Sequence, residues 1–443
     1  MPAIRHNADS WIVRGQLGWS GELQAPSDKS IAHRLVLCAA LGAGTSSLRF
    51  DPPEDVQRTL EAMQRLGIAV RRDGDAWHVA GRGLHGLRPA NATLDCGNSG
   101  TTLRLLTGVL AAQPFATQLT GDASLLRRPM ARIVEPLRRM HATIECLGDD
   151  SRPPIRIQAP AQPGLRGMHH ELAVDSAQVR SALLLAGLYA SGPTSFAPPG
   201  VSRDHTERLL TALGVPVQRS AARTQLLPAV PPSGWPAFDA SVPGDLSAAA
   251  FFIAVAAATP GARLHVRGVG INPSRARYLD VLRGAGASIV VAPRGTSLGE
   301  PYGDVQVRGG RLGDMHLGGD DVVQCIDEVP ALLAGAGVAG RAFELADAAE
   351  LRVKESDRIA VMADVLRRFG ARVDERRDGL RLHAGAVLHA ARVASCGDHR
   401  VAMAAAILAG RVPAASRIDG VACVATSYPA FARDFAALAR PTS

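Results

Sequence analysis

The sequence predicts a mixed α/β protein of two similar domains, each built from three copies of one repeated unit with a buried helix. Three observations predict it. A polar turn that runs into an Ala/Leu-rich helix occurs six times along the 443 residues. After five of those six, an amphipathic helix stops, in four of them at a glycine, and leads into a strand pattern. A proline-rich stretch from Pro228 to Pro243 separates copies one to three from copies four to six.

The six turn–helix copies are PSDKSIAHRLVLCAAL (26–41), DCGNSGTTLRLLTGVLA (95–111), DSAQVRSALLLAGLYA (175–190), PGDLSAAAFFIAVAAA (243–258), IDEVPALLAGAGVAG (326–340) and CGDHRVAMAAAILAG (396–410). Lys29, Asn98, Gln178, Asp245, Asp327 and Asp398 hold equivalent places in them, at intervals of 67 to 82 residues. A helix that is apolar almost all round belongs inside a protein, and a repeat of this size needs neighbours to bury it. The second helices are DVQRTLEAMQRLGIAV (55–70), MARIVEPLRRMHATI (130–144), HTERLLTALGVPV (205–217), ARYLDVLRGAGASIVV (276–291) and SDRIAVMADVLRRFGARV (356–373). Helical periodicity, a glycine stop and then alternation mark a helix-to-strand step. Stretches such as DAWHVAG (75–81), DVQVRGG (304–310) and GLRLHAG (379–385) read as strands and hairpins. Each unit therefore holds two helices and about four strands. Three units per domain would bury the apolar helices at a common centre. Residues 18–243 are expected to form the N-terminal domain, and residues 1–17 with 244–443 the C-terminal one. A strand around Trp11–Arg14 would complete the latter, and YPAFARDFAALAR (428–440) would stand in for a sixth amphipathic helix.

Composition narrows the partners. The formal net charge is +8 and the pI about 9.7, which favours anionic ligands. Nucleic-acid binders cluster their cations and use aromatic rings for stacking. Here aromatics are 4% and arginines are scattered, so small anionic substrates are expected and nucleic acid is not. The six cysteines form no CxxC pair and no zinc spacing, as expected of reduced thiols in a cytoplasmic protein. The start, MPAIRHNADSWIVRG, has no apolar signal core, and the most apolar stretch, Ala248–Ala258, is too short to span a bilayer. A monomer without membrane attachment is expected.

The turns carry the chemistry. Free N–H groups and the positive dipole end make a helix N-terminus an anion site. Three such ends from each domain, facing each other, would form a ligand cleft for multiply charged anions. Lys29, Ser30, Asn98, Thr101, Ser176, Gln178, Asp327 and Arg400 lie on these turns. N-capping accounts for a Ser, Asp or Asn there, but not for a Lys, Arg or Gln. The chain has two lysines, Lys29 and Lys354, against 47 arginines. A lysine is a compact, rotatable charge whose pKa can move, which the arginine fork cannot replace. Lys29 sits where the helix dipole disfavours a cation, a cost that an anionic ligand would offset. Lys354, Glu355 and Arg358 come together at a second helix start, and Asp327 with Glu328 supplies acids on a turn. Lysines and carboxylates near one cleft can serve as general acid and base. Arg34, Arg128, Arg203, Arg358 and Arg400 are candidate clamps for phosphate or carboxylate. GNSGTT (97–102) lacks the lysine and spacing of a nucleotide phosphate loop.

With these residues in hand, the chain resembles the 5-enolpyruvylshikimate-3-phosphate synthases of the enolpyruvyl transferase family. The resemblance rests on PSDKSIAHR, DCGNSGTTLRLL, GDASLLRRPM, DSAQVRSALLLAG, SRDHTERLL, VPGDLSAAAFF, IDEVPALL, ELRVKESDRI and GDHRVAMA, in that order. It implies two domains of three βαβαββ-like units with a ligand cleft between them. It implies transfer of the enolpyruvyl group of phosphoenolpyruvate to the 5-hydroxyl of shikimate 3-phosphate, with loss of phosphate. It implies neither metal nor organic cofactor. By motif, Lys29, Ser30, Arg34, Ser176, Ala177, Gln178, Arg203, Asp327 and Lys354 would bind shikimate 3-phosphate. Lys29, Asn98, Gly100, Thr101, Arg128, Gln178, Arg358 and Arg400 would bind phosphoenolpyruvate. Lys29, Asp327 and Glu355 would move protons.

Three positions depart from other members. Ala177 stands where some have Ser, and Thr426 where some carry a phosphoenolpyruvate-binding Lys. Gly100 leaves room that members with Ala deny to the inhibitor glyphosate, so sensitivity is expected. Two other functions have sequence consequences of their own. A UDP-N-acetylglucosamine enolpyruvyl transferase would need a loop cysteine, yet none lies between Cys96 and Cys146. A non-catalytic basic nucleic-acid-binding protein on the same fold would show steeply salt-dependent binding.

Overall fold

The structure, a computed structural model, describes residues 4–441 apart from 8, 16, 161–163, 198, 199 and 229. It divides into two compact units. Ser27–Val242 with Thr296–Glu300 forms the N-terminal unit; the chain up to Pro26, Pro243–Gly295 and the part from Pro301 onward form the C-terminal unit.

All six expected core helices are present: Lys29–Leu41, Gly100–Leu110, Ala177–Gly187, Leu246–Ala258, Val329–Ala339 and His399–Ala409. Their apolar periphery is the reason they lie inside. Every residue of Leu246–Ala258 is buried. In the C-terminal unit the three core helices pack pairwise against one another. Small residues let them approach: a Cβ on Gly335 would lie 3.1 Å from Ala254 Cβ. In the N-terminal unit, Gly100–Leu110 and Ala177–Gly187 touch backbone to backbone, and a Cβ on Gly108 would lie 2.3 Å from the Ala182 carbonyl oxygen.

The amphipathic helices follow as expected, at Glu54–Arg65, Ala131–Arg139, His205–Ala212, Pro273–Gly284 and Arg358–Arg368. Each buries one face, as Val56, Leu60 and Met63 do in the first, and each leads into a strand. Six sheets share one four-strand pattern, and one of them gains a fifth strand, Ala439–Pro441, antiparallel to Leu17–Gln24. A strand that leads into a core helix lies parallel to a strand that leaves one, the same helix in four of the sheets, and a hairpin adds two antiparallel strands. Leu94–Asp95 pairs in parallel with Thr117–Thr120, which pairs with Arg152–Gln158, which pairs with Thr143–Gly148. In the sixth sheet the hairpin comes from the start of the chain: Ser10–Val13 runs antiparallel to Ser416–Asp419. Trp11 stacks on Phe431, with ring centroids 5.3 Å apart. Phe431 opens the short helix Phe431–Leu438, which takes the place of a sixth amphipathic helix.

Two leading strands are exchanged, and this moves a boundary. Leu17–Gln24 leads into the first core helix but pairs in parallel with Arg263–Gly270, from Arg263↔Ser20 to Arg267↔Gln24. Asp239–Ser241 leads into the fourth core helix but pairs in parallel with Ala43–Arg49. The first crossing therefore lies after Pro26, not between 17 and 18 as expected from the sequence, because ladder hydrogen bonds commit residues 18–24 to the C-terminal unit. The second lies after Val242. A further exception is the tip Thr296–Glu300 of the hairpin Ser288–Ser297/Glu300–Arg308, which counts with the N-terminal unit. There Glu300 Oε1 lies 2.7 Å from His205 Nδ1, both buried. Among the described residues no helix is long and apolar enough to cross a membrane.

The backbone contact at Gly108 makes it a stability test. Gly108→Val forces two helices apart and should cost about 2 kcal/mol. Gly284→Ala meets nothing within 4 Å and should stabilise by about 0.5 kcal/mol through helix propensity. Urea unfolding midpoints measure both; equal midpoints for wild type and Gly108→Val would contradict the packing.

Candidate active site

The N-terminal unit carries eleven of the expected residues on or beside the N-termini of its three core helices. Capping is done by their neighbours. The Asp28 side chain accepts from Ile31 N, and that of Ser99 from Thr102 N. Ser176 occupies an N-cap position but makes no capping bond with its side chain. So the hydroxyls and amides assigned to ligands are not the ones spent on capping.

Lys29 is the first residue of its helix, and its Nζ lies 2.9 Å from Asp55 Oδ2. Both side chains are largely shielded, at 16% and 12% exposure. The carboxylates of Asp28 and Asp55 thus offset the cation at the helix start; the sequence reading credited a ligand alone. Asp55 was missed, although its place at the head of the following helix, in DPPEDV, was visible. Behind it, Thr102 Oγ1 donates to the Asp55 carbonyl at 3.2 Å, Thr59 joins Thr102 at 2.8 Å and His33 Nδ1 lies 2.7 Å from Thr59 Oγ1. Burial, and then the cations Lys29 and Arg34, push the His33 pKa well below the usual histidine value. His33 is therefore a neutral spacer, not a proton carrier, at neutral pH.

The turn 97–102 forms the second cluster. Arg128 Nη2 donates to Asn98 Oδ1 and Asn98 Nδ2 donates to Asp122 Oδ2, both at 2.7 Å. Gln178 accepts from Arg104 Nη1 at 2.7 Å and donates to Thr101 Oγ1 at 3.0 Å. A Cβ on Gly100 would lie 2.7 Å from Arg104 Nη1 and 2.9 Å from Arg128 Nη1. Two guanidinium groups thus approach one bare backbone position at a helix N-terminus, an arrangement that binds a carboxylate or phosphate. Arg104 was missed because its helix reads as apolar; a charge inside such a pattern was the available signal.

Arg34 is buried and fully engaged. Its Nε donates to Thr206 Oγ1, its Nη1 to the Ser30 carbonyl and its Nη2 to Ser181 Oγ, each at 2.7 Å. Burial pulls its pKa down to about 10, against the opposing pull of Glu207, Asp28 and Glu300, so it stays charged at neutral pH. Ser181 Oγ in turn donates to the Ala177 carbonyl at 2.6 Å. Ser30, Ala177 and Arg34 are thereby tied together. Arg203 lies on the loop before the helix His205–Ala212.

The C-terminal unit holds the other five. Arg358 is buried among three carboxylates: Nη1 lies 3.2 Å from Asp327 Oδ1, Nη2 2.6 Å from Glu355 Oε2 and Nε 2.8 Å from Asp398 Oδ2. Burial works against its charge, but Asp398, Glu355 and Asp327 outweigh it and raise its pKa. Arg400 Nη1 donates to the Asp327 carbonyl at 2.7 Å. Lys354 Nζ lies 3.6 Å from Glu350 Oε1. Burial lowers the Lys354 pKa, while Asp327 and Glu350 pull it back up. Its side chain keeps 27% exposure, which softens the effect. Thr426 Oγ1 donates to the Cys423 carbonyl at 2.7 Å, so this hydroxyl is committed to its own turn.

The arrangement can bind anions at several helix ends and offers an amine and two carboxylates for proton transfer. The family model described as EPSP synthase (3-phosphoshikimate 1-carboxyvinyltransferase) matches residues 13–435. A 3-phosphoshikimate 1-carboxyvinyltransferase of Syntrophotalea carbinolica is 44% identical over 93% of this chain and 94% of its own. That of Geobacter sulfurreducens is 42% identical over 93% and 95%. The solved structure of EPSP synthase from Acinetobacter baumannii covers 98% of both chains with a TM-score of 0.84 at 38% identity. With whole-chain coverage and the expected motifs at its helix ends, this chain belongs to the EPSP synthase family.

Proposed function

We propose that the chain transfers the enolpyruvyl group of phosphoenolpyruvate to the 5-hydroxyl of shikimate 3-phosphate and releases phosphate, the step that leads towards chorismate and the aromatic amino acids. The observation that carries this reading is the Gly100 cluster. Asn98, Thr101, Arg104, Arg128 and Gln178 converge by hydrogen bonds around a position without a side chain. A small dianionic substrate fits two guanidinium groups at a helix end.

Asn98, Gly100, Thr101, Arg128, Gln178, Arg358 and Arg400 hold phosphoenolpyruvate, joined by Arg104. Ser30, Arg34, Ser176, Ala177, Gln178, Arg203 and Lys354 hold shikimate 3-phosphate. Lys29 contacts both. The 5-hydroxyl oxygen bonds to C2 of phosphoenolpyruvate while its proton leaves to a base and another proton reaches the methylene carbon. The tetrahedral adduct then loses a methyl proton and phosphate, which restores the double bond. Asp327 is the base at oxygen, Glu355 the donor to carbon, and Lys29 assists. The ion pairs of Asp327 and Glu355 with Arg358 hold both carboxylates on one guanidinium and favour their charged forms. That suits Asp327 as the base, and Glu355 has to take up a proton before it can donate one. The six free thiols fit a cytoplasmic setting.

Phosphate release on mixing the two substrates tests the reaction directly; none above background would end this reading. Lys29→Arg keeps the charge but not the compact amine beside Asp55, and should lower kcat by about 100-fold. Lys354→Arg should likewise cost far more activity than Arg367→Lys, a change at a half-exposed surface arginine. Near-normal turnover in both lysine variants would remove them from the site. Gly100→Ala places a methyl against the guanidinium groups of Arg104 and Arg128. It should raise the glyphosate concentration for half-inhibition by about tenfold or more, with a smaller rise in the KM for phosphoenolpyruvate. An unchanged inhibition curve would contradict the crowding at this position.

A further inference from the structure

Arg180 is a charge in the first turn of the core helix Ala177–Gly187. Its side chain is fully buried, and its guanidinium carbon lies 5.4 Å from the centroid of the Phe196 ring. A buried cation is retained only where its partners repay desolvation. Its partners are few and specific. Nη2 pairs with Glu207 Oε1. Nη1 donates to Ser202 Oγ at 3.0 Å, and to the Ser202 carbonyl and Asp175 Oδ1 at 3.3 Å. Burial opposes its charge, and Glu207 with Asp175 overcomes that opposition.

Asp175 receives more than this one bond. Its Oδ2 accepts from Val201 N at 2.6 Å and Ser202 N at 2.7 Å, and its Oδ1 accepts from Ser202 Oγ at 2.5 Å. The carboxylate is wrapped by the loop that begins at Gly200. Gly200 has φ +73°, and a Cβ there would lie 2.4 Å from Asp175 Oδ1, so only glycine fits the turn over this carboxylate. Arg219 closes the far side, donating to the Gly200 carbonyl at 3.1 Å and to Asp204 Oδ2 at 3.0 Å. Asp175 directly precedes Ser176, Ala177 and Gln178, and Ser202 directly precedes Arg203. The clamp thus joins two separate segments of the proposed shikimate 3-phosphate site.

We propose that Asp175 and Arg180 are positioning residues for shikimate 3-phosphate, locking the loop Gly200–Arg203 to the start of the helix Ala177–Gly187 so that Ser176 and Arg203 are set before the ligand arrives. Neither residue touches the ligand. The inference rests on the functional reading above. Preorganisation lowers the cost of binding without adding a contact, so its loss should appear in the KM of one substrate.

Steady-state kinetics of Asp175→Asn, of Gly200→Ala and of the charge-neutral pair Arg180→Met/Glu207→Gln test it, with thermal unfolding measured alongside. In the folded variants the KM for shikimate 3-phosphate should rise about tenfold or more, while the KM for phosphoenolpyruvate and kcat stay within about threefold. A merely structural role would lower the unfolding temperature and the active fraction and leave both KM values alone. Unchanged KM for shikimate 3-phosphate, or parallel rises for both substrates, would overturn the proposal. Gly200→Ala keeps every charge, so it remains informative if the charge variants fail to fold. Wild type that turns over normally beside unaffected variants sinks the clamp alone; wild type that releases no phosphate sinks the functional reading and the clamp with it.

Discussion

A helix that is buried on every side can present only its ends to a ligand. Six such helices organise this protein, and their apolar composition leaves no polar face for chemistry. The N-terminal turns therefore carry the candidate residues. That constraint explains why capping and ligand-binding residues are neighbours on the same turns, with Asp28 beside Lys29 and Ser99 beside Gly100. One satisfies the backbone, and the other is the one the proposed function assigns to the substrate.

The same constraint explains the crossings of the chain. A sheet needs a strand that leads into its core helix as well as one that leaves it. Where the chain passes from one unit to the other, the leading strand stays behind with the unit it comes from. Leu17–Gln24 and Asp239–Ser241 are exchanged in this way: each leads into a core helix of one unit but pairs in a sheet of the other. Hydrogen-bond ladders, which are blind to sequence distance, decide the membership.

Charge inside the protein is handled by pairing. Arg34, Arg180 and Arg358 are all buried, and each is held by a set of oxygens that fixes its fork. Arginine suits this duty because its donors point in set directions. The two lysines have looser company, Asp55 for one and Glu350 for the other. A charge held by one ion pair can turn more easily than a fork held on several sides, which separates the two lysines from these three buried arginines.

The sequence by itself determined the class of fold, the number of repeats and which residues stand at the helix starts, because helical period, glycine stops and short motifs are local properties. It placed Lys29, Asn98, Gln178, Asp327 and Arg358 at or beside helix N-termini without a structure. Only the tertiary structure decided that Asp55 backs Lys29, that Arg104 joins Arg128 over Gly100 and that Arg180 is bound by Asp175, Ser202 and Glu207. It also decided that the strand at Leu17–Gln24 belongs with the C-terminal unit. Each of these pairs residues far apart in the chain, or hides a charge in an apolar pattern. The energy that fixes them comes from burial and partner geometry, and a linear reading shows neither.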